Sequence, residues 1–328
     1  MPEPAADRYA APVGGVMAPP GASEGVGLPG GHTPATVEAA VEALEASPTK
    51  RLGFVGWFSI LWLGGITLLA LVAPWLPLPD PDKSFLEIVR IGPVQPGHWL
   101  GGDGSGRDML SRVIFGARAS LGISVSAVFI GFVVGGLLGL LAGYFRGAVD
   151  SVLTTIFNVL LSIPALVLAL ALVAIFASAQ EDVSNGRKSG VLVAALAIVT
   201  VPLIGRIARA STMAWSEREF VKAAEVLGAG HLRILWREVL PNVLPAMVSI
   251  ALLGVAVAIV AEGSLALLGV GITEVPSWGN MIAFGRSDLA RAPHIVAVPS
   301  IAIFFTVLAL NYLGDVVRAR FDVREAAL

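Results

Sequence analysis

Few side chains in this 328-residue sequence have the types and spacing that enzymes use for chemistry. The sequence contains no cysteine, which excludes disulfides, thiolate metal ligands, Fe–S clusters and cysteine nucleophiles. The four histidines, His32, His98, His231 and His294, are too far apart to match the spacing of a metal site. We therefore expect no catalytic residue and no metal bound by this chain.

Glu262 is the carboxylate that has long apolar stretches on both sides. A charge at membrane depth is unfavourable, and such residues usually face a bundle interior or an aqueous path. Glu262 is therefore a candidate for a translocation path, where it would attract an ammonium group or pair with an arginine such as Arg118. A structural role without substrate contact is the competing interpretation.

Two alternative functions would use residues of the same segment. Ser264 would be the nucleophile of an intramembrane serine protease, but such an enzyme needs a base within hydrogen-bond reach. The membrane-proximal histidine is His294, at the rim of the last apolar run, so this dyad is poor. A stand-alone secondary transporter would use Glu262 as its ion site, yet the sequence lacks the convincing internal repeat that this class often shows.

The composition indicates whether the chain lies in water or in lipid. The chain is 55% hydrophobic and only 14% charged, with a mean hydropathy of +0.80, whereas soluble domains carry about 25% charged residues. So few charges indicate a lipid environment. The net charge of -2 argues against nucleic-acid binding, which requires a basic face.

Six uncharged runs predict six membrane-spanning helices, because a bilayer core needs roughly 20 apolar helical residues and helices satisfy all their backbone groups within one segment. The fold class predicted is an all-α polytopic bundle. The fourth run is short and would span if its helix continues past Arg206, whereas Gly263–Thr273 is too short to cross and extends the fifth helix or re-enters. The runs are Leu52–Pro79, Ala119–Phe145, Ser151–Gln180, Ser189–Gly205, Val239–Ala261 and Ile295–Gly314.

A stripe of glycines follows one face of the second predicted helix. Gly131, Gly135, Gly139 and Gly143 recur every four residues. Small residues at this spacing allow close contact between helix backbones. We expect the stripe to pack against another span, in this chain or in a partner.

The predicted organisation follows from the runs and from the charges beside them. Residues 1–49 are rich in Ala, Pro and Gly and predict a disordered cytoplasmic extension. The pair Lys50-Arg51 at the membrane edge indicates a cytoplasmic N-terminus, and six crossings return the C-terminus to that side. The remaining segments are a first helix at 50–80, an extracytoplasmic loop at 81–118, a five-helix core at 119–318 containing the cytoplasmic loop 206–242, and a cytoplasmic tail at 319–328.

The loop 206–242 contains two amphipathic pieces. Phe220, Ala223, Ala224 and Leu227 fall at helical spacing and make one small apolar face, which Gly228 and Gly230 then terminate. A second piece covers Leu232–Leu240, and Pro241 is expected to mark its end. This pattern predicts either a surface helix on which another protein docks, or an interfacial helix that only lies on lipid headgroups.

This loop resembles the "EAA" signature of ABC importer permeases, Glu-Ala-Ala-x3-Gly-x9-Ile-x-Leu-Pro. The pair Ala223-Ala224, Gly228 and the pair Leu240-Pro241 stand at the expected spacing. Lys222 replaces the Glu and Glu238 replaces the Ile, two positions that vary in the dipeptide/oligopeptide permease subfamily. The wider pattern of the loop resembles that subfamily.

Three further segments resemble the same family. His98–Leu121 is close to the pattern of its second, C-type, permease subunit, with Trp99 in place of Pro and Gly102 in place of Thr. Glu262–Met281 and Asn311–Arg318 follow in the order the family has them. The resemblance covers about residues 50–324.

The resemblance implies an ABC importer type I permease fold in the cell membrane and transport of peptides, with dipeptides, oligopeptides, glutathione, haem or chelated nickel in the subfamily's range. No Gly-x4-Gly-Lys-[Ser/Thr] motif is present, so ATP and Mg²⁺ would be used by partner subunits. The implied partners are a homologous B-type permease forming a heterodimer, two ATP-binding subunits or domains, and an extracytoplasmic solute-binding protein. The residues implied in coupling to the ATPases are Phe220, Val221, Ala223, Ala224, Leu227, Gly228, Ala229, Arg237, Leu240, Pro241 and Asn242.

Overall fold

The structure, a computed structural model, describes residues 53–178, 185–271 and 275–326. Within these ranges the chain is helical, and its isolated β-bridges all lie between residues 84 and 108. The extension predicted to be disordered at 1–49 lies outside the described residues. The helices are α1 (Phe54–Val72), α2 (Met109–Phe145), α3 (Gly147–Ser162), α4 (Ala165–Ser178), α5 (Asn185–Ser216), α6 (Glu219–Val226), α7 (His231–Ile234), α8 (Leu240–Leu267), α9 (Trp278–Gly285) and α10 (His294–Ala326).

Five helical segments in the described part of the chain are long and apolar enough to cross a membrane. A sixth span results if α3 and α4 are counted together as one bent element. The predicted all-α membrane fold is confirmed.

The third predicted span, Ser151–Gln180, is broken into two helices within the described residues. α3 and α4 meet at an angle of 90°. The break lies at Ile163-Pro164, where Ile163 is extended with φ −90° and ψ 129°. A residue before proline is pushed out of the helical region, which explains why the apolar run bends here.

α2 begins ten residues earlier than the sequence indicated, at Met109 rather than Ala119. Asp108 caps it, because its Oδ1 accepts the backbone N–H of Ser111 at 2.7 Å. With 37 residues and a rise of 1.5 Å per residue, α2 is about 55 Å long. It therefore exceeds the hydrocarbon core, roughly 30 Å thick, and one or both of its ends project beyond it.

Other boundaries follow the sequence more closely. The fourth helix continues past Arg206 to Ser216, which is the condition under which the short fourth run would span. The segment after Glu262 extends the fifth span as far as Leu267. The last helix does not end at Gly314, however, but continues to Ala326 through most of the segment taken for a tail.

The glycine stripe of α2 lies against α5. A Cβ added at Gly131, Gly135, Gly139 or Gly143 would overlap atoms of α5; at Gly143 it would lie 2.6 Å from the carbonyl oxygen of Arg209. Successive glycines of the stripe contact α5 residues of increasing residue number, starting at Thr200. The two helices therefore run in the same direction. Only glycine permits this backbone separation.

The remaining long helices pack around this pair. α8 runs antiparallel to α2, with Gly136 beside Met247 and Ser120 beside Glu262. α1 lies at the periphery against α10, where the Trp62 Nε1–H donates to Thr306 Oγ1 at 3.0 Å. The bundle thus has two ends, the α6 end at the C-terminus of α2 and the α9 end at its N-terminus.

Candidate functional site

The first candidate site is a surface at the α6 end, formed by α6 and the turn that follows it. Val221 anchors α6 to the bundle, since it is 1% exposed, and Ala224 is half-buried against the same core. Phe220 packs on Trp215 with the two rings tilted by 53° and their centroids 6.2 Å apart. The Arg218 guanidinium lies over the Trp215 ring, 5.3 Å from its centroid. These aromatic contacts fix the chain where it enters α6.

The exposed side of α6 carries Glu219, Lys222 and Glu225, and uncovered apolar side chains follow at the end of the helix. Val226 and Leu227 are each 88% exposed, and Leu232 in α7 is 68% exposed. Ala223 is also exposed, whereas Ala224 turns inward, so the four residues predicted to share one face divide between the surface and the core. Three large apolar side chains this exposed on one short segment are typical of a surface that another molecule covers.

Gly228 shapes the turn between α6 and α7. Its φ of +81° lies in the left-handed region, and no atom lies within 4 Å of the position of a Cβ. Its backbone conformation requires glycine, while the space beside it is open. Ala229 is half-buried against the core, and Gly230 is the N-cap residue of α7.

The second half of the loop does not end where the sequence indicated. α7 continues through a π-helical turn, Leu235–Val239, directly into α8, so Pro241 is an early residue of that helix and does not terminate the segment. A proline inside a helix lacks the N–H that would donate to the preceding turn, and the π-helical turn just before Pro241 already interrupts that ladder. Asn242 Nδ2 donates to the Glu238 carbonyl at 2.6 Å. Arg237 is exposed, and Leu240 is half-buried.

Polar contacts tie the α6 end to the long helices. The Arg209 guanidinium of α5 donates to both carboxylate oxygens of Asp150 in α3, with Nη2 to Oδ2 at 2.6 Å. Arg146 Nη2 donates to Glu217 Oε1 at 2.8 Å, beside α6. These four residues were missed by the sequence reasoning, although a charge bordering an apolar run is itself a signal of a specific partner.

A further contact joins α2 to the start of α7. The Tyr144 hydroxyl lies 3.1 Å from His231 Nδ1, and the Phe145 ring lies 6.2 Å from the His231 ring. His231 is exposed. It therefore fixes the position of α7 relative to α2.

The second candidate site is Glu262, near the α9 end. Glu262 is 0% exposed. Its Oε2 accepts the Ser120 hydroxyl at 3.2 Å, and that hydroxyl accepts the Trp278 backbone N–H at 3.1 Å. The carboxyl therefore joins α2, α8 and α9 inside the bundle.

Glu262 has no exposed surface in this structure. Arg118, its expected partner, is exposed on α2 and makes no ion pair with it. Gly263 and Gly279 let α8 and α9 approach closely, since a Cβ on Gly279 would meet the Gly263 Cα at 2.5 Å. These contacts give Glu262 a structural role in the bundle, and its contact with substrate stays a prediction.

Trp278 lies inside the bundle at the α9 end. Trp278 is 0% exposed, and its Nε1–H donates to the Val113 carbonyl at 2.9 Å. Ser277 caps α9 by accepting the Asn280 N–H at 3.1 Å. The turn is thereby fixed within the bundle.

The glycine-rich stretch 101–107 belongs to a compact loop and not to a phosphate cradle. Asp103 accepts the backbone N–H groups of Ser105 and Arg107 at 2.8 and 2.9 Å. Its other oxygen accepts Arg107 Nε at 2.7 Å. Side chains of this loop therefore satisfy the amides that a phosphate would need.

The protease alternative lacks its dyad. The Ser264 hydroxyl donates to the Val260 carbonyl of its own helix at 2.8 Å, and His294 Nε2 lies 3.1 Å from the Gly102 carbonyl. Each group thus has a backbone partner of its own. Across the part of the chain that the structure describes, no group of three His, Asp or Glu side chains is arranged to hold a metal ion.

With this geometry in place, comparison with known proteins defines the class. Residues 135–326 match the family described as the inner membrane component of binding-protein-dependent transport systems, and the chain belongs to this family. It is therefore a permease subunit of an ABC importer, a non-catalytic membrane subunit of systems in which separate subunits hydrolyse ATP.

Individual relatives are of similar length. The chain is 36% identical to the glutathione transport system permease protein GsiD of Pectobacterium atrosepticum over 262 residues, which are 78% of this chain and 84% of that protein. It is 36% identical to the di/tripeptide transport system permease protein DppC of Pseudomonas aeruginosa, over 80% of this chain and 86% of the relative. The dipeptide transport system permease protein DppC of Alkalihalophilus pseudofirmus is 33% identical over 86% of this chain and 88% of its own length.

A solved structure supports the fold. A chain of the MetNI methionine ABC transporter in an inward-facing conformation aligns with 64% of this chain and 97% of its own length, with a TM-score of 0.53 and 19% identity. The type I permease fold expected from the sequence is confirmed.

Proposed function

We propose that this chain forms half of the translocation pathway of an ATP-driven peptide importer, and that partner ATPases move it through the α6 surface. The observation that carries this proposal is the exposure of Val226 and Leu227, each 88%, at the end of a helix that Val221 anchors in the core. A side chain so exposed leaves its apolar area in water unless a partner covers it. A groove on an ATP-binding subunit is the partner that the family's mechanism supplies.

Peptides are the proposed cargo. The three relatives described above are named for dipeptides, for di- and tripeptides and for glutathione, which is itself a peptide. This common chemistry supports a peptide substrate with free carboxylate groups.

The proposal fixes the orientation of the bundle. Because ATP is hydrolysed in the cytoplasm, the α6 end would face the cytoplasm and the α9 end the outside. α1 then begins, and α10 ends, on the cytoplasmic side, in agreement with Lys50-Arg51 next to the first span. Both termini are accordingly proposed to be cytoplasmic.

The remaining partners follow from the same scheme. A homologous B-type permease would supply the second half of the pathway, and an extracytoplasmic solute-binding protein would deliver peptide to the α9 end. This chain would bind no cofactor, while ATP and Mg²⁺ would bind the partner subunits. Closure of two ATPases would bring the two α6 surfaces together and rock the bundle.

Transport by the assembled complex tests this proposal. The permease pair, the ATPases and the binding protein are reconstituted into liposomes, and uptake of the dipeptide Ala-Ala is measured with and without ATP. We expect ATP-dependent uptake that Leu227→Asp reduces at least about tenfold, because a buried unpaired charge disfavours docking by more than 1.4 kcal/mol.

Leu86→Asp is the matched control, since Leu86 is also 88% exposed but lies at the α9 end. This variant should retain uptake within about twofold of the wild type, a change smaller than 0.5 kcal/mol. Uptake that needs no ATPase subunit, or equal loss in both variants, contradicts the proposal.

A further inference from the structure

A cavity of about 450 Å³ opens beside α2 near the α9 end and belongs to neither site described above. Phe115, Arg118, Gly122 and Ser126 of α2 line it at helical spacing. Val193 of α5 is part of the opposite wall. Ser120, which bonds Glu262, is buried and does not line this cavity.

Arg118 is the charged group in the lining of this cavity. Three other arginines near the α9 end each have a carboxylate partner: Arg90 with Asp288 at 2.7 Å, Arg107 with Asp103 at 2.7 Å and Arg112 with Asp82 at 3.0 Å. Among the described residues Arg118 has none, and its side chain is exposed to the cavity. Its five N–H donors thus remain available for an anionic oxygen group.

The space beside Arg118 suits a small molecule with an apolar body. Nothing lies within 4 Å of a Cβ placed on Gly122, so the floor of the cavity is open. Phe115 and Val193 contribute apolar walls, and Ser126 contributes a hydroxyl. A volume of this size falls within the range of ligand pockets, about 300–1,000 Å³.

We propose that this cavity is a peptide-binding subsite in which the Arg118 guanidinium holds the substrate's C-terminal carboxylate. Arginine matches a carboxylate with two parallel N–H···O bonds, which a neutral amide cannot reproduce. The apolar walls contact the adjoining side chain without selecting its sequence. This inference rests on the proposed peptide cargo and adds the group on the peptide that the permease itself recognises.

A phospholipid phosphate is also an anionic oxygen group that Arg118 could bind. The experiment therefore distinguishes a peptide carboxylate from a lipid phosphate. The complete permease–ATPase complex is placed in nanodiscs without the binding protein. Binding of radiolabelled Ala-Ala is measured directly and in competition with Ala-Ala amide, while co-purified phospholipid is quantified by mass spectrometry. The variants are Arg118→Gln, Arg118→Lys and Gly122→Leu, and Arg291→Gln is the control because Arg291 is exposed and lies outside this cavity.

We expect wild type to bind Ala-Ala at least about tenfold more tightly than its amide, a difference of 1.4 kcal/mol. Arg118→Gln should remove this discrimination, Arg118→Lys should retain part of it, and Arg291→Gln should leave it unchanged. Gly122→Leu should weaken binding of both ligands, because the new side chain occupies the open floor.

Undiminished discrimination in Arg118→Gln overturns the inference. Absence of Ala-Ala binding to a wild-type complex that takes up Ala-Ala in liposomes does so as well. Unchanged peptide binding with loss of bound phospholipid in Arg118→Gln assigns the site to lipid and also overturns it. In all three cases Ala-Ala uptake persists, whereas a complex that takes up no peptide at all refutes the proposed function instead.

Discussion

Asp150 and Arg209 form the ion pair that most directly ties two membrane helices together at the α6 end. Their side chains are only 18% and 28% exposed, and the contact is bidentate. The neighbouring pair of Arg146 and Glu217 is 44% and 65% exposed and has a single hydrogen bond. Partly buried bidentate pairs are worth more than exposed single ones, because solvent screens the latter.

The two pairs give a matched prediction. Asp150→Asn leaves the Arg209 guanidinium without a charged partner and should lower the free energy of unfolding by about 1–3 kcal/mol. Glu217→Gln should lower it by no more than about 1 kcal/mol. Thermal unfolding of the detergent-solubilised protein measures both, and an equal effect of the two substitutions would refute this ranking.

At the scale of elements, the contact between α2 and α5 depends on the absence of side chains. The four-residue spacing of the glycines predicted close packing, but the sequence did not identify α5 as the partner, because the choice depends on how all the helices assemble. The ion pair between Asp150 and Arg209, which are 59 residues apart in the sequence, could not be predicted for the same reason. The break at Pro164, by contrast, carried a local signal that the continuous apolar run obscured.

Gly135 and Gly64 test the glycine contact as a pair. A Cβ on Gly135 would overlap the backbone of α5 near Val201, whereas nothing lies within 4 Å of one on Gly64 in α1. Gly135→Ala should lower the free energy of unfolding by about 1–3 kcal/mol, as overpacking does. Gly64→Ala should leave it unchanged or raise it by up to about 1 kcal/mol, the difference in helix propensity. Thermal unfolding distinguishes them, and equal midpoints would mean that α2 and α5 do not pack this closely.

The turn after α6 is the element that a bulky residue should disturb. Gly228→Trp should uncouple ATP hydrolysis from uptake without unfolding the bundle, because the ring would occupy the open space through which a partner approaches. Gly228→Ala is the control, since it imposes the same backbone strain at φ +81° with little added bulk. The ratio of Ala-Ala transported to ATP hydrolysed is the measurement. A wild-type ratio in Gly228→Trp would show that this turn lies outside the docking surface.

At the scale of the whole molecule, the chain is a bundle with two chemically different ends. The α9 end contains several charged pairs and the buried Trp278, whereas the α6 end contains the adjacent exposed side chains of Val226 and Leu227. Composition, the apolar runs and the signature of loop 206–242 sufficed to predict the membrane fold and the family. The division of the loop residues between core and surface required the structure, because helical spacing alone does not show which side of α6 faces the bundle.

Site-specific cross-linking of the assembled transporter is the most direct test of the central claim. That claim is that a separate ATP-binding subunit docks on this subunit at α6. A photoreactive amino acid replaces Leu227 in one variant and Leu86 in the other, two leucines of equal exposure at opposite ends. The account predicts cross-links from position 227 to the ATP-binding subunit and none from position 86. Cross-links to that subunit from position 86, or only lipid adducts at position 227, would contradict it.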